Sequence, residues 1–558
     1  GMKYSSKKIL IFFVVFISLF LSILIFSKSK NDDLNVLLNN ESYSYLPKEA
    51  INYIRQVYQN TGQLVLTEKN KKKGLPYLNP NFINYLTLSS DEQTKIDVIP
   101  DTYVTEYFTN ESDTNEEFPP KYDLRNIYGE NYITPMKNQG NLGLCWSFAS
   151  IENAESHLMI KNDEPYNELF SERFSVRQMD YATSTNGINN YNNENGYRKL
   201  TTGGNFYMSS IIMSNGLSLI SDTKMPYNES TEKRELYEIL NYNNSLYDVD
   251  STVVMPILSD DPNQSDVDGY VSRIKKFVKE NGGAYVGTYS PQSGCGFTSN
   301  GDSVIRVDSC RLDINTIGTG HAMQVIGWDD DYEYSYCKTT NGNDDLNNGI
   351  CSSGTIKTGK GAWILRNSWG LDEDIKKYHY VYLTYDSSYA YYGSITSMSK
   401  MSDKTWDNNY HTNLWKNDVD ENVNTETQDF TKKVTGSEKV EKIKFFPSTE
   451  NSSYNVYINS KLIKKIDTTY AGIDTIDFSK ENIILNDDKF EVKIVGLDGS
   501  LFLHDTISVF TSNVSKEPSI KSHDYVFDKL MNSSKNYEFV LYQETKNISS
   551  NSIINYSL

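Results

Sequence analysis

The chain has 558 residues, too many for a single hydrophobic core, so two to four domains are expected. Its 54 Lys and Arg against 73 Asp and Glu give a formal charge of -19, and no basic stripe follows the N-terminal segment, which argues against a nucleic-acid partner. Hydrophobic content of 38% is ordinary for a soluble protein, and the acidity reads first as surface solubility.

Lys3, Lys7 and Lys8 precede an uncharged apolar run over residues 9–26, which makes residues 1–30 an export segment. The flank Ser27-Lys28-Ser29-Lys30 lacks the small residues of a cleavage site, and the run is long enough for one span. Cleaved signal peptide and N-terminal membrane anchor therefore both stay open. In either case the bulk of the chain lies outside the cytoplasm, where disulfides form. Residues 31–117 are polar, with one helix expected from Pro47 onward, since Ala50, Ile51, Ile54, Val57 and Tyr58 share a face.

The stretch Asn138-Gln139-Gly140-Asn141-Leu142-Gly143-Leu144-Cys145 is a glycine-broken loop running into a helix. Trp146, Ala149, Ile151, Ala154 and Leu158 recur at helical spacing, so Cys145 falls in the first turn, where the helix dipole favours a thiolate. Gly203-Gly204-Asn205 precedes a helix-like run over 208–213. A helix over 271–280 leads through Gly282-Gly283 into a strand over 284–289. Gly318-Thr319-Gly320-His321-Ala322-Met323-Gln324-Val325-Ile326 is a core strand that offers His321 as a base. Ala362-Trp363-Ile364-Leu365-Arg366-Asn367-Ser368-Trp369 is another strand; the Asn367 amide can orient an imidazole and Trp369 can keep water off that bond. His157 and His379 read as structural. A lone buried cysteine is usually a small hydrophobe, and only the set of segments points to nucleophilic catalysis.

These blocks, in the order Cys, His, Asn, resemble those of the papain family of cysteine peptidases. The resemblance implies Cys145 as nucleophile, His321 as general base and acid, and Asn367 as the residue that orients the ring. Gln139, six positions before the cysteine, would be the oxyanion donor. It also implies that Gly203, Gly204 and Trp369 line a substrate cleft, that substrates are proteins or peptides, and that neither metal nor cofactor takes part. Phe118-Pro119-Pro120-Lys121-Tyr122-Asp123-Leu124-Arg125 resembles the opening of papain-like domains, and Phe170-Ser171-Glu172-Arg173-Phe174-Ser175 sits where the family has Leu-Ser-Glu-Gln. Residues 31–117 then occupy the place of an inhibitory propeptide, with a plain spacer as the alternative. Leu142 stands where the family usually has a cysteine, so that disulfide is missing, and long intervals between the blocks imply insertions.

Five cysteines fit one free thiol plus two bridges. Cys295 with Cys310 and Cys337 with Cys351 would each close a polar insertion. Three pairings stay open, and zinc is the weaker reading because no CxxC occurs.

Beyond residue 397 short alternating strands follow, marked by Val440, Ile443 and Phe445; Tyr454, Val456 and Ile458; Phe490, Val492 and Ile494; and Tyr537, Phe539 and Leu541. With Trp406-Asp407-Asn408-Asn409-Tyr410 they resemble the lectin-like domain of some clostridial surface cysteine peptidases. Cell-wall carbohydrate is then a possible partner, weighed against packing support for the peptidase. Calcium at Asp418-Val419-Asp420-Glu421 is weighed against a solvated turn.

The expected fold class is α+β: a two-lobed papain-like catalytic domain over 118–397, with a helical lobe and a β lobe, followed by a β-sandwich lectin-like domain over 398–558. The expected function is an extracytoplasmic cysteine endopeptidase, secreted or cell-surface associated. The alternatives are a non-catalytic surface protein that binds carbohydrate and an acyl transferase using the same residues.

Overall fold

The structure is a computed structural model that describes residues 46–61, 85–89, 116–167, 203–215, 247–256, 262–289, 296–299, 301–306, 320–338, 355–385, 395–411, 422–432 and 434–514. It also describes the strand pairs at 346–347 with 350–351 and 538–543 with 552–557, and residues 35, 38, 108, 219, 221, 227 and 258. The apolar run at 9–26, the segment at 170–175, Cys295, Cys310, the acidic cluster at 418–421 and the side chains of Cys337 and Cys351 lie outside the described residues. No helix among the described residues is long and apolar enough to cross a membrane.

Helix α1 (Lys48–Thr61) follows Pro47 directly, and its Ala50, Tyr53 and Ile54 are buried in the main hydrophobic cluster. Strand β1 (Lys121–Asp123) leads to the central helix α2 (Cys145–Asn162), which is buried from Cys145 through Met159 on every side. Two polar residues of α2 are accommodated because they reach backbone groups of its neighbours. Asn153 Oδ1 accepts from the Met398 amide at 2.9 Å, and His157 Nδ1 lies 2.9 Å from the Asn281 carbonyl. Helix α3 (Phe206–Ser214) is capped by Asn205, whose side chain accepts from the Met208 amide. Strand β2 (Tyr247–Val254) precedes α4 (Gln264–Asn281), which starts seven residues earlier than its apolar pattern suggests because Asn263 caps it through the Asp266 amide.

Strands β3 (Ala284–Tyr289), β4 (Gly296–Ser299), β5 (Asp302–Ile305), β6 (Gly320–Lys338), β7 (Thr355–Arg366), β8 (Tyr380–Thr384) and β9 (Thr396–Asp403) complete the β lobe. Among the described residues they form one nine-stranded sheet in the order β2-β9-β3-β6-β7-β8-β5-β4, with β1 paired to β6. β8 and β5 run parallel, and the other pairings are antiparallel. The register that matters for function is β6 on β7, which sets Gln324 opposite Arg366 and leaves Asn367 one residue past the strand end. β9 pairs with β2 along its length, so the expected boundary at 397 falls inside a strand. The architecture changes after Asp403.

The C-terminal part is α-free among its described residues. One sheet joins Asn408–His411, Ser508–Asn513, Glu438–Phe445 and Asp474–Asp477; the other joins Thr425–Thr431, Lys489–Leu497, Ser452–Ile458 and Lys461–Thr468. Their inner faces meet in one core that includes Val440, Ile443, Phe445, Val456, Phe490 and Ile494. Val440 and Ile443 both point inward, three residues apart, because a bulge between Val440 and Lys442 shifts the alternation.

This sandwich is seated on the nine-stranded sheet. Phe446, Ala471, Ile473 and Leu503 belong to the main cluster, and the β2 amides of Thr252 and Val254 donate to Ile473 and Ala471 carbonyls at 3.0 and 2.9 Å. Gly472 has φ +126°, and a Cβ there would lie 2.2 Å from the Thr252 carbonyl oxygen, so only glycine permits the approach. Two aspartates and two lysines close the contact: Lys442 Nζ is 2.6 Å from Asp248 and 2.9 Å from Asp250, and Lys444, fully buried, donates to the Val249 carbonyl at 2.8 Å.

Candidate active site

The loop before α2 is fixed to the segment after β7. The Gln139 amide donates to the Ser368 carbonyl at 2.8 Å, Gly370 donates to the Lys137 carbonyl at 3.0 Å, and Asn138 bridges to Trp369. The carboxamide of Gln139 is oriented as well. Its oxygen accepts from the Ser368 hydroxyl at 2.7 Å and its Nε2 donates to the Leu142 carbonyl at 3.0 Å, leaving a second N–H for a ligand. The Tyr227 hydroxyl donates to the Gln139 carbonyl. Leu142 in turn accepts from the Leu144 amide at 2.8 Å, which tightens the chain into Cys145, the first residue of α2.

His321 lies next to the start of β6, with its Nε2 2.7 Å from Asn367 Oδ1. The direction of that bond follows from the neighbours of Asn367. Its Nδ2 donates to the Tyr378 carbonyl at 2.9 Å and its Oδ1 also accepts from the Ser368 amide at 2.8 Å, so Oδ1 is the acceptor and Nε2 carries the proton. Nδ1 is then the basic nitrogen. The Trp369 ring lies 5.0 Å from the imidazole, tilted by 31°, and shields the bond to Asn367. Burial lowers the His321 imidazolium to about 4, and the bond to Asn367 opposes that shift. The ring is thus neutral at neutral pH, and a thiolate formed beside it would favour its charged form.

These contacts close a ring. From Cys145 the chain leads back to Gln139, across to Ser368 and Asn367, and over to His321. From there β6 runs three residues to Gln324, whose Nε2 donates to the Glu152 carbonyl at 3.2 Å and to Ser156 Oγ at 3.0 Å. α2 returns from Glu152 to Cys145. Gln324 thereby ties β6, three residues after His321, to α2, seven residues after Cys145. Cys145, free of any disulfide, is fully buried, as is Asn367; His321 is 2% and Gln139 5% exposed.

Gly203 and Gly204 are also buried, and the structure gives Gly204 an internal reason. An added Cβ would lie 2.5 Å from two atoms of the Trp146 ring, so glycine there seats the first turn of α2. His157 and His379 are structural: burial lowers His157 to about 4, and His379 Nε2 lies 3.0 Å from the Asp372 carbonyl.

Sequence reasoning missed Ser368, Gln324 and Arg366. Arg366 left a signal, a charged residue ending the apolar run Ala362-Trp363-Ile364-Leu365. It is fully buried, with Nη2 2.6 Å from the Thr134 carbonyl and 2.8 Å from the Pro135 carbonyl. In the C-terminal sandwich, Glu426, His504 and Asp505 bring ligand-type atoms within 4.8 Å of one another, but Gln428 and the Asp505 amide already donate to these carboxylates.

A profile described as "Papain family cysteine protease" matches residues 118–401. The crystal structure of the cysteine protease and lectin-like domains of Cwp84, a surface layer associated protein of Clostridium difficile, is similar over 78% of this chain and 97% of that one, with a TM-score of 0.56 and 16% identity. That likeness is one of fold. A digestive procathepsin L2 from Tenebrio molitor matches 66% of this chain and 99% of its own at a TM-score of 0.35 and 15% identity. A viral cathepsin of Choristoneura fumiferana defective polyhedrosis virus is 41% identical over 49 residues, which span 9% of this chain and 14% of that protein.

Proposed function

The chain belongs to the papain family of cysteine proteases, and on that premise we propose that it is an extracytoplasmic cysteine endopeptidase acting through Cys145, His321, Asn367 and Gln139. Transfer of the Cys145 proton to His321 Nδ1 gives a thiolate and an imidazolium. The sulfur attacks the peptide carbonyl carbon, the C–N bond breaks, and the imidazolium returns its proton to the leaving amine. Water, deprotonated by the same nitrogen, then cleaves the thioester and restores the thiol. During both steps the oxyanion accepts from Gln139 Nε2 and from the Cys145 backbone amide.

The observation that carries this reading is the Nε2–H bond from His321 to Asn367, because it leaves Nδ1 as the base. Residues 31–117 are assigned as a propeptide, supported by the burial of Leu46, Ala50, Ile54, Tyr85, Leu88 and Phe108 in the main cluster. The likeness to Cwp84, a surface layer associated protein, supports a cell-surface location, and surface or secreted proteins are then the substrates to test. For the sandwich, its buried seat on β2 favours packing support for the peptidase, with cell-wall carbohydrate as a further ligand to test.

Treatment with an epoxide thiol inhibitor followed by mass spectrometry tests the assignment. Single labelling at Cys145, lost together with peptide hydrolysis in Cys145→Ala, is the expected outcome. Hydrolysis unchanged in that variant would remove the nucleophile, and products carrying an added amine would make the enzyme an acyl transferase.

A further inference from the structure

Glu152 lies seven residues after Cys145, two turns along the same face of α2, and is fully buried. Neither of its carboxylate oxygens has a hydrogen-bond partner among the described residues, and neither does Nε of Arg366. A buried carboxyl left without a partner is costly and calls for a reason. Its position suggests one. Arg366 immediately precedes Asn367 and holds the carbonyls of Thr134 and Pro135 in the approach to Gln139, while its Nη1 lies 3.3 Å from Gln324 Oε1. Gln324 donates to the Glu152 backbone and sits three residues past His321. All four segments that supply proposed active-site residues therefore meet at this one buried cluster.

We propose that Glu152 is a positioning residue of this site, whose ionisation, through attraction to Arg366, sets how the helix bearing Cys145 seats on the strands leading to His321 and Asn367. The inference rests on the catalytic reading above. The charges acting on Glu152 are Arg366 from β7 and Lys137 from the loop, both attractive, and Glu155 from its own helix, which repels. Glu155 itself is engaged by Thr134 Oγ1 at 3.0 Å and by Lys137 at 3.1 Å. Among the described residues, the other elements packed on α2 add no charge acting on it. Burial is the largest influence and pushes the Glu152 carboxyl up to about 7, so its charge changes inside the working range of an extracellular enzyme.

The test is the rate of Cys145 alkylation by iodoacetamide, read by mass spectrometry from about pH 5 to about pH 9, in the full chain and in Glu152→Gln. The wild-type rate is expected to rise through a step near pH 7 that Glu152→Gln lacks, the variant being about tenfold slower at about pH 8.5 and equal to wild type at about pH 5.5. Glu152→Asp, which keeps the charge on a shorter stem, should restore the step in part. Labelling at Cys145 with superimposable profiles in wild type and Glu152→Gln overturns the positioning role and leaves the catalytic reading intact. Failure to label Cys145 in wild type, with hydrolysis unaffected by Cys145→Ala, overturns the catalytic reading and this inference with it.

Discussion

One side-chain amide decides which nitrogen of His321 is basic. Asn367 can do this because its own two ends are committed, Nδ2 to the Tyr378 carbonyl and Oδ1 to the Ser368 amide, so it cannot turn to offer its NH2 to the ring. Asn367→Ala removes the acceptor and leaves a buried N–H without a partner beside Trp369. In the proposed role this should lower kcat/KM by about a hundredfold, within the range of general-base contributions. The unpaired donor should also cost about 1–3 kcal/mol of stability in urea unfolding. Gln139 acts at a different moment. Gln139→Ala should lower kcat by about 10²–10³ with KM little changed, the pattern of a donor used in the transition state. Ser368→Ala, which only releases the Gln139 oxygen, should cost less than Gln139→Ala, and steady-state kinetics on one peptide substrate ranks the two.

At the scale of elements, what was legible in the sequence was whatever buries apolar side chains in a regular rhythm. β3, the start of β6 and the end of β7 fall where their β-branched and aromatic runs place them, and the sandwich strands keep alternate residues inside. β2 was not legible. Tyr247-Asp248-Val249-Asp250-Ser251-Thr252 has the polar alternation of a solvated strand, yet Asp248 and Asp250 are buried because Lys442 and Lys444 arrive from some 190 residues away. The order Cys, His, Asn and the Gln139 spacing gave the core of the candidate site, whereas Ser368, Gln324 and Glu152 act through contacts that no local pattern announces. The same limit applies to Gly204, which the family resemblance assigns to the substrate cleft and whose packing on Trp146 no local pattern announces. Gly204→Ala puts a methyl into a rigid ring, so α2 must shift at its first turn. The expected cost is about 1–3 kcal/mol in urea unfolding. Cys145 labelling should slow along with it, whereas a surface-turn glycine would change neither.

For the whole molecule, the seat between sandwich and peptidase sheet is the feature that unites the two halves. Its charges balance, two carboxylates with two ammonium groups, but not symmetrically. Burial lowers the Lys444 ammonium, with Asp248 and Asp250 acting against the shift, whereas for Lys442 the same two aspartates outweigh burial and raise it. Trp406 Nε1 adds a donor to Asp248 at 2.7 Å. Lys444→Met removes one positive charge and leaves the aspartates with Lys442 alone, so the full chain should lose about 3–5 kcal/mol in urea unfolding. The double variant Lys444→Met with Asp248→Asn restores the charge balance and should recover much of that loss, giving a non-additive cycle. Because Val249, Val254 and Met398 share their cluster with Phe446 and Ile473, the destabilisation should appear in the peptidase half too, as a parallel fall in the stability of Cys145 labelling against urea. A sandwich that merely hangs from the peptidase would instead unfold in a separate transition, leaving the cysteine protected at urea concentrations where the C-terminal strands have already melted.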